Sequence, residues 1–371
     1  MPGCRKGITA RWSPNSSRGE TIKPDLMHTY IIAEIGQNHN GNMDIARQLI
    51  DVAAKPVPDH FRGVELAGVD AVKFTKRDLD EELTNEAASQ PYHSPNAFGD
   101  TYIEHRRALE LSNQQHKELS DYAHSKGLDL VETICAPSCL ELLNEVEVDA
   151  VKIASRDVTN IPLLQALSKV DKRILISTGM STLAELDTAL ETLSRPPSEV
   201  TILHCLSQYP ADYDNISLLS IPFLAERYPE HTIGYSDHTI GILMPSVAVA
   251  LGAKVVEKHI TLDRTMKGSD HAGSLEPEGL WRVIRDIRNV ERALGQRTKA
   301  PHPTTTAAKE RLARSLAIRN PLDAGEPLLE ENLCMLSPGS GLSWEDRLPL
   351  LGKKASGDLG GLTHIKESDF Q

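Results

Sequence analysis

Two histidines hold the same place in two strand-like segments of the chain. Residues 234–242 read GYSDHTIGI and end their apolar run at His238, and KVVEKHITLDR, later in the chain, leads into His259. Neighbouring strands lie about 4.8 Å apart, so imidazoles at matching depth can share one divalent ion. Two nitrogen ligands leave other positions open to water and substrate oxygens, which suits a Lewis acid that polarises a carbonyl. The alternative is that each histidine is a hydrogen-bonded core residue.

Two lysines are predicted to point into the same space. Lys73 and Lys152 lie in the strand-like runs AVKFT and VKIAS, and two inward lysines repel each other and lose hydration unless an anion lies between them. Hydroxyl donors surround this space at Thr133, Ser155, Ser177 and Ser236. Together these groups predict a seat for a phosphate or a carboxylate. The alternative is a structural network in which Glu34 and Glu257 pair with the lysines, and the two arrangements can coexist.

Short β-branched or apolar runs alternate along the chain with amphipathic, helix-like segments. The eight predicted strands span residues 30–36, 71–75, 128–134, 151–155, 173–178, 200–205, 232–237 and 254–260. Strict alternation requires a parallel sheet, and eight such units match the size of a closed (β/α)8 TIM barrel. An open doubly wound sheet is the alternative, although no Gly-x-Gly-x-x-Gly follows the first strand.

The carboxyl ends of the strands are where a barrel enzyme places its chemistry. Residues two apart on a strand share a face, and this alternation predicts which polar side chains point inward. The predicted inward set is Glu34, Lys73, Thr75, Thr133, Lys152, Ser177, His204, Ser236, His238, Glu257 and His259. Every strand is therefore expected to end in a polar side chain at the mouth of the barrel.

The chain is expected to contain more than the barrel. Residues 1–28 are polar without a hydrophobic core and are expected to be an N-terminal extension, not a secretory signal. The barrel domain is predicted over 29–296, and the Pro- and Thr-rich residues 297–310 as a linker. The short strands and turns of 311–371 predict a small β-rich module.

Composition excludes several classes of protein. The 371 residues carry a formal net charge of -12, which argues against nucleic-acid or acidic-membrane binding because such proteins need a basic face. No apolar run approaches the ~20 residues of a membrane span. The five cysteines are odd in number and scattered, which predicts reduced thiols and a cytoplasmic location.

The motifs around these residues resemble those of the sialic acid synthase family, from about residue 30 to the C-terminus. The matching segments are AEIGQNHNG, AVKFTKRDL, FGDTYIEHRRALELS, VKIASRD, ILISTGM, LHCLSQYP, GYSDHTIG, EKHITLDRTMKGSDHAGSLEP and ARSLAIRNPLDAGEPLLEENL. The resemblance implies an enzyme that condenses phosphoenolpyruvate with a hexosamine-type sugar aldehyde to give a nine-carbon sugar acid. The tail is similar to the family's antifreeze-like (SAF) domain, which in the family crosses to the partner subunit of a domain-swapped homodimer.

The resemblance also implies roles for individual residues. His238 and His259 match the ligands of a Mn²⁺ or Mg²⁺ ion, and His238 thereby belongs to the catalytic set. The positions that match the phosphoenolpyruvate site are Lys73, Thr133, Lys152, Ser155, Ser177 and Ser236. The positions that match groups near the reacting carbons and the sugar are Glu34, Asp157, Tyr209 and Asp270. Glu34 is the first candidate for the general base and Asp157 the second, and the sequence does not separate them.

Two departures from the family pattern bear on the substrate. Ser207 stands where an asparagine is often found, and a shorter donor can still serve there. Ser337 stands where an arginine of the family reaches the N-acetyl group, so recognition of N-acetylmannosamine should be weaker. The acceptor is therefore left open among N-acetylmannosamine, a diacetamido-trideoxyhexose and a sugar without nitrogen.

Two other functions are weighed against this one. The first is a carbohydrate-binding or regulatory barrel that has lost catalysis, against which the intact Lys73, Lys152, His238 and His259 argue. The second is a barrel of the same chemistry that makes 3-deoxy-octulosonate or heptulosonate phosphates. The SAF-like tail argues against it, and a phosphorylated acceptor would require more cationic groups at the mouth than the strand ends supply.

Overall fold

The computed structural model describes residues 28–60 and 62–371. The chain divides into two compact units, the first ending at Gly295 and the second spanning Gln296–Gln371. The N-terminal extension expected at 1–28 lies outside the described residues except for His28. In the described part of the chain no helix is long and apolar enough to cross a membrane.

The first unit is a closed barrel of parallel strands. Its strands are β1 (Tyr30–Gly36), β2 (Val57–Asp59), β3 (Val64–Leu66), β4 (Ala71–Lys76), β5 (Asp129–Ile134), β6 (Ala150–Ile153), β7 (Arg173–Ser177), β8 (Val200–Cys205), β9 (Thr232–Asp237) and β10 (Val255–His259). The order around the barrel is β1-β10-β9-β8-β7-β6-β5-β4, while β2 and β3 form a separate antiparallel hairpin. The (β/α)8 fold predicted from the alternating pattern is confirmed.

Helices connect the barrel strands. They are α1 (Met43–Ala54), α2 (Leu79–Glu82), α3 (Asn85–Ser89), α4 (Tyr102–Arg107), α5 (Asn113–Ser125), α6 (Leu142–Glu145), α7 (Ile161–Leu167), α8 (Leu183–Leu193), α9 (Ser220–Arg227), α10 (Leu243–Ala250) and α11 (Pro277–Leu294). Local signals set their ends: the Ser112 side chain accepts from the backbone N–H of Gln115 in a capping box at the start of α5. The connection from β4 to β5 carries α2, α3 and α4 before α5, so it builds a long wall at the carboxyl end of β4.

An apolar layer fills the lower part of the barrel. Its residues are Tyr30, Ile32, Ala71, Val131, Ala150, Leu175, Leu203 and Val255. Because side chains alternate, the next inward residue of each strand lies one layer higher, towards the carboxyl end. In that layer Glu34 of β1 is in register with Lys73 of β4 on one side and His259 of β10 on the other. The apolar layer is thus the floor on which the polar strand ends stand.

The predicted inward position of His204 on β8 is wrong. Leu203 lies in the apolar layer, so Cys205 shares its inward face and His204 points to the helices. There its Nε2 lies 2.7 Å from the carbonyl oxygen of Ile216, and its ring stacks on Tyr235 at a centroid distance of 5.9 Å. Alternation by itself does not give the phase of a strand, and on β8 the inward phase is that of Leu203 and Cys205.

The second unit is small and has a core of its own. It contains the helix α12 (Thr306–Leu312) and the strands β11 (Ser315–Ile318), β12 (Leu333–Leu336) and β13 (Thr363–His364). The strands form one antiparallel sheet in the order β12-β11-β13. Its core contains Leu316, Ile318, Leu322, Leu328, Leu333, Leu350, Ala355, Ile365 and Phe370. The linker expected at 297–310 includes the first residues of α12, so part of that segment is regular structure.

Candidate active site

A cavity of about 510 Å³ opens above the apolar floor of the barrel. The sequence-predicted site residues that line it are Glu34, Lys73, Thr133, Lys152, Ser155, Ser177, Ser207, Tyr209, Ser236, His238, His259 and Asp270. They come from every barrel strand or from the loop that follows it. The fold therefore brings together, at one end of one barrel, side chains that are more than two hundred positions apart in the sequence.

Two lysines and two glutamates form a buried ion-pair network at the base of the cavity. The Nζ of Lys73 lies 2.5 Å from Oε2 of Glu34 and 3.8 Å from Oε2 of Glu257. Lys73 also donates to Oγ1 of Thr133 at 3.0 Å. Lys152 donates to both carboxylate oxygens of Glu257 at 2.8 Å. The structural network considered as an alternative is therefore present, and its carboxylates offset the repulsion between the lysines.

The two glutamates of this network have different proton affinities. Burial raises the pKa of Glu34 to about 7, with the charge of Lys73 acting against the shift and that of Glu257 adding to it. Burial would also raise the pKa of Glu257, but the charges of Lys152 and Lys73 and the hydrogen bond from Ser236 outweigh it and hold that pKa well below its ordinary value. Two carboxyl groups with separated pKa values are a mark of acid–base sites. Glu34 is the member that can exchange a proton near neutral pH.

Hydroxyl groups above the network retain capacity for a ligand. The Ser155 hydroxyl accepts a hydrogen bond of 3.0 Å from the backbone N–H of Gly179. A Cβ at Gly179 would lie 2.4 Å from Oγ of Ser207, so this crossing of loops requires glycine. The Ser177 hydroxyl is buried and has no hydrogen-bond partner within the described residues. A buried hydroxyl is normally paired, so Ser177 is a candidate to donate to a ligand oxygen.

The two histidines lie side by side above the network. The ring centroids of His238 and His259 are 5.6 Å apart, and Tyr209 lies 4.0 Å from the His238 ring. The Nδ1 of His238 lies 2.7 Å from the carbonyl oxygen of Leu206, which can only accept, so this nitrogen carries the proton and Nε2 is left with a lone pair. Nδ1 of His259 is buried and has no hydrogen-bond partner among the described residues, and burial lowers the pKa of this ring. In its neutral form each ring can therefore present an unprotonated nitrogen to a cation.

These two imidazoles are the nitrogen donors that the cavity offers to a metal ion. Among the residues that the structure describes, no group of three or more His, Cys, Asp or Glu side chains is arranged to hold a metal. Two nitrogen ligands would leave most of the coordination sphere of an ion at this site to water or substrate oxygens.

Comparisons with known proteins agree with this geometry. The model of the NeuB family matches residues 63–299, which is more than half of the chain. The chain belongs to the NeuB family. The resemblance to sialic acid synthases inferred from the sequence motifs is thereby confirmed, and the chain is an N-acetylneuraminate synthase-like enzyme.

Relatives in several organisms extend this assignment over most of the NeuB chain. The N-acetylneuraminate-9-phosphate synthase of Mus musculus is 37% identical over 92% of this chain and 90% of its own length. The N,N'-diacetyllegionaminic acid synthase of Legionella pneumophila is 34% identical over 93% of this chain and 96% of its own. The solved N-acetylneuraminic acid synthetase of Leptospira borgpetersenii superposes with a TM-score of 0.63 at 30% identity, covering 76% of this chain and 90% of that one.

Asp157, the second candidate for the general base, is not among the residues that line the NeuB cavity. It ends the short 3-10 helix Ser155–Asp157, where it is buried and its Oδ2 lies 3.4 Å from Nε of Arg156. The carboxylate therefore braces an arginine of the cavity wall. Glu34 does line the cavity, and the choice between Glu34 and Asp157 as general base stays a prediction.

Several cavity residues were missed by sequence reasoning. They are Gln37, Arg77, Arg106, Arg156, Met180 and Cys205, together with Ser269. The three arginines follow β4 and β6 or lie on α4, so the parity rule for strand ends does not reach them. The available signal was their place in the KRD, HRR and SRD triplets of the family-like motifs. The mouth of the NeuB cavity is consequently more cationic than the strand ends predicted.

A second buried ion pair joins the two histidine-bearing strands on the opposite face. The Nζ of Lys258 lies 2.6 Å from Oδ2 of Asp237, and these two residues are in register between β9 and β10. Lys258 also donates to the carbonyl oxygen of Thr239, and Tyr235 donates to Oδ1 of Asp237 at 3.0 Å. Each member of the pair directly precedes a histidine, His238 or His259. We infer that the Asp237–Lys258 pair sets the spacing of the two rings.

Replacing Lys258 by methionine tests the energetic weight of this pair. The change leaves the Asp237 carboxylate buried and uncompensated, so the free energy of unfolding should fall by about 3–5 kcal/mol, measured by urea denaturation. Asp237→Asn together with Lys258→Met removes both charges and should regain part of the loss. Asp237→Asn alone completes the comparison. If the double variant loses as much unfolding free energy as the two single variants together, the two residues are not coupled.

Proposed function

We propose that this chain condenses phosphoenolpyruvate with an open-chain hexosamine-type sugar, N-acetylmannosamine or a related sugar, to give a nonulosonic acid and phosphate. The observation that carries the proposal is the paired network of Glu34, Lys73, Glu257 and Lys152 under a cavity that also holds two adjacent imidazoles. Relatives named as synthases of N-acetylneuraminate 9-phosphate and of diacetyllegionaminic acid support the class of product.

The enol phosphate would bind between the two lysines. Each ammonium carries three N–H donors, and the contacts within the network leave both lysines able to meet an additional oxygen. The unpartnered Ser177 hydroxyl lies on β7, next to the strand that carries Lys152. A phosphate or carboxylate at this place would satisfy these donors together, which is why phosphoenolpyruvate, with both groups, suits the site.

The condensation would proceed by attack of C3 of the enolpyruvate on the aldehyde carbon of the sugar, which forms the new C–C bond and an alkoxide. Water then adds at C2, and cleavage of the C–O bond releases phosphate. Glu34, with its pKa near 7, is placed to take the proton of that water or to orient it. Lys73, 2.5 Å from Glu34, would stabilise the carboxylate between proton transfers.

We further propose that His238 and His259 hold a Mn²⁺ or Mg²⁺ ion. The fit rests on the unpartnered Nδ1 of His259 and on the free Nε2 of His238 left by the hydrogen bond to Leu206. When bound, the ion would supply a Lewis acid that polarises the aldehyde oxygen. The chain's contribution is to hold the two rings close together and to fix the His238 ring through the carbonyl of Leu206.

The direct test of the function is release of phosphate from phosphoenolpyruvate with a panel of aldose acceptors in the presence of Mn²⁺. Lys152→Met should raise the KM for phosphoenolpyruvate about 10- to 100-fold, because a charge-assisted contact contributes roughly 1.5–3 kcal/mol. Lys169→Met, at an exposed position, is the matched control and should leave the KM unchanged. Absence of phosphate release with every aldose would overturn the enzymatic assignment and favour a barrel that only binds carbohydrate.

Metal binding can be measured without turnover, by calorimetry or by the electron paramagnetic resonance of Mn²⁺. His238→Ala and His259→Ala should each abolish tight binding of the ion. His204→Ala, a buried histidine on the helix-facing side of β8, should reduce stability but retain the ion. Unchanged Mn²⁺ affinity in His259→Ala would contradict the proposed ligand pair.

We also propose that the second unit is a SAF domain that covers the cavity of a partner in a homodimer. The support is the resemblance of its sequence to that domain. Light scattering should then give twice the chain mass of 40.8 kDa. A chain that ends at residue 295 should be inactive, and mixing it with inactive full-length His259→Ala subunits should restore turnover. Full activity of the shortened chain alone would contradict the exchange.

A further inference from the structure

One cation of the cavity differs from the others in its partners. The cationic side chains that line it are Lys73, Arg77, Arg106, Lys152 and Arg156. Four of them have a carboxylate within 4 Å; Arg77 and Arg156, for example, reach Oε2 of Glu82 at 3.3 and 3.1 Å. Arg106 has no carboxylate at that range among the described residues, in a chain whose net charge is -12. Its charge is therefore available to a ligand.

Arg106 is nevertheless held in one orientation, by neutral groups. Its Nη1 donates to Oε1 of Gln37 at 2.6 Å, and its Nε and Nη2 donate to the hydroxyl of Tyr102 at 2.9 and 2.7 Å. A guanidinium carries five N–H donors, so these contacts position the group and leave two donors unused. A preorganised, uncompensated guanidinium is the usual means of recognising an anion with several oxygens.

Gln37 adds an independent observation. Its side chain is 7% exposed and lines the cavity. Because Oε1 accepts from Arg106, the orientation of the amide is defined, and Nε2 is the end left over. That nitrogen is buried and has no hydrogen-bond partner within the described residues. Leaving a buried amide N–H unpaired is costly, which indicates an acceptor atom that a ligand supplies.

The position of these donors separates them from the Ser177 and Lys152 side of the phosphoenolpyruvate seat, whereas Lys73 lies on β4, the strand beside β1. Gln37 directly follows β1, and in the order β1-β10-β9-β8-β7 the strand that carries Ser177 lies four places away. Four places in an eight-stranded ring is the opposite side of the barrel. An anion beside Ser177 and Lys152 therefore leaves Arg106 and Gln37 to the second substrate.

We propose that Arg106 and Gln37 form a subsite for a phosphate ester on the acceptor sugar, at the end remote from its aldehyde. The two free donors of Arg106 and the Nε2 of Gln37 match the terminal oxygens of such a group in number, and the uncompensated charge matches its charge. Asp270, which lines the same cavity, would accept from sugar hydroxyls and not from the anion. This inference rests on the proposed condensation.

The proposal corrects an expectation about the mouth of the cavity. The strand ends supplied two lysines, which argued against a phosphorylated acceptor, whereas the loops and α4 add three arginines. Arg106 is the one of these three with no carboxylate within 4 Å among the described residues, and its charge acts at longer range on Asp270, whose pKa burial raises but His259 and Arg106 help to lower; we take it as the group that decides between a charged and a neutral acceptor.

The experiment compares N-acetylmannosamine with N-acetylmannosamine 6-phosphate in the full-length enzyme, by phosphate release from phosphoenolpyruvate. The 6-phosphate should be preferred in kcat/KM. Arg106→Gln should lower kcat/KM for the 6-phosphate by about 10- to 100-fold, the value of a hydrogen bond to a charged group. In the same variant, kcat/KM for the neutral sugar and the KM for phosphoenolpyruvate should each change by less than a factor of about three.

Matched variants guard against a folding defect. Arg107→Gln alters the neighbouring arginine of α4, whose side chain is 61% exposed and lies 3.5 Å from Asp80. This variant should leave kcat/KM unchanged for both acceptors. Gln37→Glu keeps the shape of the side chain, supplies Arg106 with a carboxylate, and should selectively weaken the phosphorylated acceptor.

Three results would overturn the subsite while leaving the condensation intact. They are a preference of the unaltered enzyme for the neutral sugar or for a diacetamido-trideoxyhexose, an equal loss with both acceptors in Arg106→Gln, and a raised KM for phosphoenolpyruvate in that variant. If no acceptor supports phosphate release, the condensation itself fails. In that case calorimetry, with phosphoenolpyruvate present, measures the affinity of the unaltered protein and of Arg106→Gln for the two sugars. The subsite is supported only if Arg106→Gln selectively weakens binding of the 6-phosphate.

Discussion

The arrangement of the site depends on the need to balance four buried charges above an apolar floor. Lys73 and Lys152 follow the floor residues Ala71 and Ala150 by two positions on their own strands, where an unpaired ammonium would lose its hydration without compensation. Glu34 and Glu257 offset that loss through short ion pairs. Because the pairs are buried, their strength depends on both partners being present. The rest of the site is built around this balance.

The charges of the two glutamates are not equally compensated by the lysines, and this difference is chemically useful. Glu257 faces both lysines and accepts from Ser236, so its charge is well compensated. Glu34 faces one lysine, and burial raises its pKa to about 7. The same four groups thus provide one permanent anion and one carboxyl group that exchanges its proton near neutrality. An arrangement that stabilises the lysines also prepares a candidate acid–base group.

Strand parity organises both faces of β9 and β10 at once. On the inner face, Ser236 and Glu257 contribute to the charge network, and on the outer face, Asp237 and Lys258 form a second buried pair. His238 and His259 come next in each strand, above the network and beside the outer pair. Consecutive residues at the ends of β9 and β10 therefore alternate between side chains that face the cavity and side chains that hold the two strands together from outside. Arg106 lies on α4, beyond the strand ends, where this rule does not apply.

The barrel and most of its inward residues could be predicted from the sequence, because hydrophobic periodicity and the two-residue alternation of strands are local properties. It correctly placed the histidine pair, the lysines and the hydroxyls at one end of the barrel, although it assigned His204 to the wrong face. The folded chain was needed to show which carboxylate meets which lysine, that Asp157 lies beside Arg156, and that Arg106 has no carboxylate within 4 Å among the described residues. Those outcomes depend on distances between residues far apart in the chain, and on burial, which sets the proton affinity of Glu34 and leaves Gln37 unsatisfied.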